Sequence, residues 1–334
     1  MNSAKTTEGL IEMKTLASAG GPLPSTGQKR VSPFSKVFQR DKYLLLMILP
    51  VIIWYLIFCY LPMVGLYMSF TNFVPGKGLM GLFQGDFVGL KWFLKFFESP
   101  YAFRLIRNTF LMAFFSLIFG FPIPIIFAIC ITQIRNKPMR QAGQVLTYLP
   151  YFISTVVVCG MINNFLSPST GIINQIIEFF GGTPINFLGL PEWFRAIYVV
   201  SGSWQTFGFN SIIFVAAIMA IPQDLYEAMR VDGANKRTII WHLVLPSIKP
   251  TVVLLLIMAC GNLMSVGFEK VYLLYSPGVY ETADVISTYV YRQGIESSNY
   301  SYAAAVGLFN SLVTFAIVFV ANRASRKLTD TSVW

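Results

Sequence analysis

Residues able to make or break bonds are few in this chain, and they are scattered. There is one histidine, His242, and the four cysteines, Cys59, Cys130, Cys159 and Cys260, all fall inside apolar runs without Cys-x-x-Cys or Cys/His spacing. They read as small hydrophobes, neither a disulfide framework nor a metal site. No Gly-x-x-x-x-Gly-Lys-Ser/Thr loop is present, and the one Gly-Lys pair, Gly76-Lys77, is followed by glycine, so the chain has no phosphate cradle with which to hydrolyse ATP. No His-Glu-x-x-His, nucleophile elbow or carboxylate cluster supports hydrolysis either. What remains is hydrogen bonding and stacking. Asn163, Asn164, Trp204, Gln205, Asn210, Asn262 and Asn310 stand in otherwise apolar stretches. A polar side chain there is costly unless it lines a cavity or bonds a neighbouring helix. Trp204 and Gln205, beside Gly202, Phe207 and Phe209, put an aromatic face next to an amide. Asn163, Trp204, Gln205, Asn210 and Asn262 are therefore candidates to line a wet path, with plain interhelical hydrogen bonding the alternative at each.

The elements that must position these groups are membrane helices. Of 334 residues, 55% are hydrophobic and only 12% charged. A soluble chain of this size carries roughly a quarter charged residues, so most of this surface does not face water. Six runs, 43–64, 109–131, 145–165, 196–221, 251–267 and 303–321, contain no Asp, Glu, Lys or Arg. Each is near the roughly 20 residues that cross a bilayer as a helix, which predicts an all-α integral membrane protein with six transmembrane helices. With the N-terminus in the cytoplasm, segments 1–42, 132–144, 222–250 and 322–334 lie inside and hold 17 of the 25 Lys and Arg residues, whereas acidic residues divide 7 to 8. The cation bias predicts both termini cytoplasmic, and the net charge of +10 reads as a topology signal rather than a nucleic-acid footprint. Residues 1–42 read as a flexible tail, 43–103 as the first span plus an external segment, and 323–334 as a second cytoplasmic tail. In that external segment Trp92, Phe93, Phe96 and Phe97 alternate with Lys91 and Lys95, which suits a helix in the lipid headgroup layer. Pro122 and Pro124 predict a kink in the second span, as structure or as a hinge.

Segment 222–250 is more structured than a connector needs to be. Pro222 opens a helix with Asp224 and Glu227 near its positive end, and Leu225, Ala228, Met229 and Asp232 follow at helical spacing, leaving Tyr226, Glu227 and Arg230 to another side. Asp232-Gly233 supplies a bend, and a second helical stretch with Ile239, Ile240, Leu243 and Val244 runs to Pro246. Two short helices around a glycine elbow, one with a small apolar face, call for a partner.

Here a family resemblance becomes specific. Glu227-Ala228-Met229, then Gly233 six positions after the Glu, then Leu243-Val244-Leu245-Pro246 resembles the signature loop of bacterial ATP-binding-cassette importer permeases. Met229 replaces the usual second Ala and Leu243 the usual Ile; both keep an apolar, helix-compatible side chain. Residues 104–322 are similar to the type I, MalF-like permeases for carbohydrates. Residues 267–275 and 280–291 further resemble the oligosaccharide and polysaccharide branch, which includes permeases for alginate and pectin-derived oligosaccharides. The resemblance implies that Glu227, Ala228, Met229, Asp232, Gly233, Leu245 and Pro246 form a cytoplasmic coupling element docking on a separate ATPase subunit, with Glu227 paired to a basic residue there. It implies a second homologous permease, two ATPase subunits that hold ATP and Mg, an extracytoplasmic sugar-binding protein, surrounding membrane lipid, and a place in the bacterial cell membrane. This chain would hold no cofactor, and His242 would pack within the loop. The competing classes are an ion-driven secondary transporter, which predicts charged groups and inverted repeats in mid-membrane, and a membrane scaffold, which needs no coupling loop.

Overall fold

The computed structural model describes residues 42–261, 263–264 and 266–329. Among them there is no β-strand, only an isolated bridge between Thr71 and Phe87. The chain divides into a unit ending at Pro62 and a unit from Met63 onward. In the first, α1 (Lys42–Tyr55) buries no residue. Its apolar side chains all point outward, which suits hydrocarbon rather than water.

Four helical runs are long and apolar enough to cross a bilayer: Lys42–Phe70, Ala102–Thr132, Lys236–Gly261 and Tyr300–Arg326. Two more exist as bent pairs, Lys137–Phe152 with Thr155–Phe165 at 96° and Pro191–Met219 with Gln223–Val231 at 67°. The expected six spans are reached when each pair counts as one. The second run is α2's successor in the chain: after α2 (Lys91–Glu98) come α3 (Ala102–Gly120) and α4 (Pro122–Thr132). Phe121 N–H still donates to the Leu117 carbonyl at 3.0 Å, so the prolines interrupt the run without parting its halves.

The expected third span, 145–165, is not one straight helix. α5 (Lys137–Tyr148) tightens into a 3-10 turn at Leu149–Phe152, and α6 (Thr155–Phe165) starts afresh, its Val157 N–H bonded to the Ser154 hydroxyl at 3.4 Å. Pro150 lacks an N–H and Ser154 is a strong N-cap, so the sequence breaks the helix where hydropathy alone runs on. A short helix, α7 (Ile172–Phe179), is pinned by Asn174, whose amide donates to the Ser167 and Ile185 carbonyls at 3.0 Å each. α8 (Pro191–Met219) begins before the expected 196 and is followed by α9 (Gln223–Val231).

The expected fifth span is shifted furthest. α10 (Lys236–Gly261) is one continuous helix, so the second short helix of the 222–250 segment is its first third. A π turn at Ile240–Val244, closed by Leu245 N–H to the Ile240 carbonyl, precedes Pro246. Widening the turn there relieves the contact between a proline ring and the carbonyl four residues back, which is why Pro246 does not end the helix. α11 (Phe268–Leu274), α12 (Ile286–Tyr291) and α13 (Tyr300–Thr329) complete the chain.

α8 is the central element of the second unit, packed against α3, α4, α5 and α10. α2 does not simply lie in the headgroup layer: Phe96 is buried with Leu105, Tyr289 and Tyr302, while Leu94 and Phe97 stay exposed. The start of α3 is tied to the segment before α12 by a polar network. Buried Asp284 accepts from Arg292 at 2.7 Å and from the Thr288 hydroxyl at 2.9 Å, with Arg104 at 3.8 Å. Asn108, fully buried, donates to the Glu281 and Asp284 carbonyls at 2.9 and 3.0 Å and accepts from Arg195 at 2.9 Å.

Candidate functional site

Along α8, Tyr198, Gly202, Gln205, Phe209 and Ile213 recur at three- and four-residue spacing and form one stripe lining a cavity of about 820 Å³. At about 1.5 Å per residue the stripe runs roughly 22 Å along the helix. Ser116 and Gly120 of α3, Pro124 of α4, and Leu255 and Ala259 of α10 form the facing walls. Gly267, Glu269 and Lys270 line the end near Tyr198; the other end, near Phe214, points toward α9.

The candidates from sequence divide around this cavity. Gln205 and Asn210 line it. Gln205 also donates to the Ile153 carbonyl at 2.9 Å, a group freed by the break between α5 and α6, so here the interhelical role is real. Trp204, one residue away and therefore about 100° around the helix, lies instead in a second, apolar pocket of about 770 Å³ with Phe115, Phe119 and Phe207. It is not brought together with Gln205. Asn163 is exposed on α6 and does not line the cavity; Asn262 lies outside the described residues. Asn310 donates to the Met264 carbonyl at 3.2 Å, as a helix-to-helix bond. Phe209 stacks on Tyr151 with ring centroids 3.9 Å apart and 4° between planes.

Sequence reasoning overlooked Lys270. Its side chain is buried, its ammonium donates to the Tyr198 carbonyl at 3.1 Å, and it sits 5.1 Å from the centre of the Tyr198 ring. Burial pushes its pKa down from 10.5 to about 8. The only signal in the sequence was a lysine immediately beyond an apolar run, which reads as an ordinary end-of-span cation.

The segment after the cavity's far end has a defined geometry. α9 ends in a paired cap: Gly233 N–H donates to the Arg230 carbonyl at 3.1 Å and Ala234 N–H to the Met229 carbonyl at 2.9 Å, with Gly233 at φ +78°. This Schellman arrangement requires the left-handed backbone that glycine adopts most readily. Asn235 then caps α10, accepting from Thr238 N–H at 2.9 Å. Tyr226, Met229 and Ala234 pack against Ile221, Ile239 and Leu243, which fixes α9 to the base of α8 and α10. The expected facing holds for Met229, inward, and for Glu227 and Arg230, outward, but Tyr226 points inward whereas Leu225 and Ala228 are exposed. Asp224, Glu227, Ala228 and Val231 share the outward face, and Asp232 and Gly233 are exposed beside it. Leu245 is half-buried against the same anchoring cluster, and Pro246 is exposed within α10. His242 is exposed on the same helix, 3.1 Å from the Thr238 carbonyl.

A bent multi-helix unit with a cavity along its central helix and an exposed short helix beyond one end suits a membrane transport subunit. Residues 101–329 match the family described as binding-protein-dependent transport system inner membrane component. The chain belongs to that family and is a multi-pass membrane permease of the ATP-binding-cassette importer type. It is 39% identical over 307 residues to the polygalacturonan/rhamnogalacturonan transport system permease protein YteP of Bacillus subtilis, covering 92% of this chain and 94% of that one. Protein LplB of the same organism is 38% identical over 86% of this chain and 90% of its own. Among solved structures, a chain of a bacterial ABC transporter involved in the import of the acidic polysaccharide alginate superposes with a TM-score of 0.83 at 44% identity, covering 89% of this chain and 100% of the other. A chain of a bacterial alginate ABC transporter in complex with an alginate pentasaccharide-bound periplasmic protein gives the same TM-score at 45% identity.

Proposed function

We propose that this chain is one of two permease subunits that carry an oligo- or polysaccharide inward, with α9 as the coupling helix seated on an ATPase subunit. A second homologous permease completes the pathway, an extracytoplasmic sugar-binding protein delivers the ligand, and two ATPase subunits bind ATP and Mg. The observation that carries this reading is the continuity from α9 to the cavity. Only residues 220–222 separate α9 from α8, and Tyr226 and Met229 share one packed cluster with Phe214, Val215 and Ile218 of α8. Displacing α9 therefore displaces the helix that lines the cavity, because packed helices move as bodies rather than deform. The outward face holds the carboxylates Asp224 and Glu227, which can pair with a basic groove, beside apolar Ala228 and Val231. The polygalacturonan/rhamnogalacturonan and alginate named for the relatives support a saccharide as cargo.

Proteoliposome uptake and ATP hydrolysis by the assembled complex test the assignment. Glu227→Ala leaves a partner's basic group unpaired at a buried interface, a loss of about 2–5 kcal/mol. The variant should insert normally, bind the ATPase subunit more weakly, and lose both uptake and stimulation of hydrolysis. Full uptake by Glu227→Ala would falsify the coupling role. Uptake that persists without ATP but collapses with the ion gradient would instead assign an ion-driven carrier.

A further inference from the structure

Lys270 poses a problem that the transport reading, on which this inference rests, leaves unsolved. Its side chain is 93% removed from solvent. Among the described residues no carboxylate lies within ion-pair distance of it; the ion pairs there join Asp284 to Arg104 and Arg292. A buried ammonium without a counter-charge is unfavourable, and a backbone carbonyl with one aromatic face offsets only part of that. The fold nevertheless keeps the charge in place. The Nζ lies against Gly202, where a Cβ would come within 3.3 Å of it, so α8 is pared back at this level to admit the ammonium. On the other side of α11, Phe268 and Tyr272 stack at 5.3 Å and Tyr291 closes on both at 5.0 and 5.2 Å, which holds the helix that aims Lys270 into the cavity.

We infer that Lys270 is the specificity group of this cavity, supplying the positive charge that pairs with a carboxylate of a uronate-containing oligosaccharide. An ammonium has three donors, and Tyr198 occupies one, so N–H groups remain for a ligand at the cavity's Lys270 end. The missing counter-ion is then the cargo. A neutral sugar offers hydroxyls that satisfy the donors without neutralising the charge, so the site discriminates by charge as well as by shape. Glu269 also lines this end, but it is exposed, and water screens its charge more than that of buried Lys270. Gln205, Asn210 and the Phe209 ring farther along the stripe serve hydroxyls and sugar faces, which acidic and neutral sugars share.

The test uses the assembled importer in lipid nanodiscs, without binding protein, so that the measured affinity belongs to the membrane cavity. The probes are tetragalacturonate and its carboxyl-reduced, neutral counterpart. Lys270→Met removes charge and donors; Lys270→Gln removes the charge but keeps an N–H for the Tyr198 carbonyl, so it separates the electrostatic role from a structural one. Both variants are expected to assemble and to bind tetragalacturonate at least tenfold more weakly, with the neutral probe unchanged. Unchanged tetragalacturonate binding, or equal weakening of both probes, overturns the assignment of Lys270 while leaving the saccharide permease intact. A wild-type complex that binds neither probe overturns the saccharide reading and the Lys270 assignment together.

Discussion

At the scale of single residues, Lys270 and Asp284 show how differently two buried charges can be held. Asp284 is fully buried and answered by Arg292, Arg104 and the Thr288 hydroxyl. Removing it strands two guanidinium groups, so Asp284→Ala should lower the stability of the purified complex by about 3–5 kcal/mol. Thermal unfolding followed by fluorescence reads this directly, and a midpoint within 1 °C of wild type would contradict it. Lys270 has no such answer, and its consequence is a pH dependence. Because burial lowers its pKa, the folded chain holds fewer protons there than the unfolded chain, and the cost of burying the charge is complete below about 8 and relieved as pH rises toward the ordinary 10.5. Binding of tetragalacturonate should therefore weaken as pH rises from 7 to 9, while binding of the neutral probe stays flat. Cys159, Tyr198 and Glu269 also face this lysine, so the discriminating measurement is the same titration in Lys270→Met. A step that survives the substitution does not belong to Lys270. None of this was legible in the sequence, because Lys270 follows an apolar run and its burial is created by α8, some 70 positions earlier. Asn210 and Gln205 were legible, since amides in apolar helices have few places to go. Trp204 and Gln205 are adjacent in sequence, and adjacency on a helix means different faces.

At the scale of elements, α9 and its elbow were readable as a helix, a glycine stop and a second helix, because Pro222, Gly233 and Asn235 are strong local signals. What sequence did not yield was which face packs inward and how far the second helix extends. Tyr226 and Met229 bury only because Ile239 and Leu243 wait on α10, and Pro246 is tolerated only because a π turn precedes it. The hydropathy pattern likewise hid the break at residues 149–154, where proline and an N-cap overrule an apolar run. Gly233 lends itself to an experiment that separates two demands. Its φ of +78° favours glycine, yet nothing stands within 4 Å of where its Cβ would be. In the free chain the requirement is therefore conformational: Gly233→Ala should cost about 1–2 kcal/mol locally, and Gly233→Asn, which adopts this backbone more easily, clearly less. If conformation is the whole requirement, uptake by Gly233→Asn should approach wild type and exceed that of Gly233→Val. Equal failure of Asn and Val would show instead that the ATPase surface closes over this point and admits no side chain.

At the scale of the molecule, the two ends of the helical unit differ in how their cations are used. One end gathers Arg135 between α4 and α5 with Lys137 and Arg140 in the first turn of α5; Arg230, Lys236 and Arg237 around the elbow; and Arg323 and Arg326 near the close of α13. The packing of Ile131 and Ile134 with Met229, Ala234 and Ile239 brings the first two of these groups together. At the other end the cations are built into the fold: Arg104 and Arg292 converge on Asp284, Arg195 on Asn108, Lys270 on the cavity, and Lys91 and Lys95 lie over the Trp92 ring. The excess of positive charge at the elbow end is the signal that sets orientation. That end should face the cytoplasm, which also puts α9 where ATP is available and the Lys270 end where a delivered ligand arrives. The orientation can be read with a membrane-impermeant maleimide in intact cells, after replacing Cys59, Cys130, Cys159 and Cys260. Ser297→Cys, exposed between α12 and α13, should label at once. Lys236→Cys, exposed at the first turn of α10, should label only after permeabilisation. The inverse pattern would turn the whole molecule over, and α9 could then no longer meet a cytoplasmic ATPase.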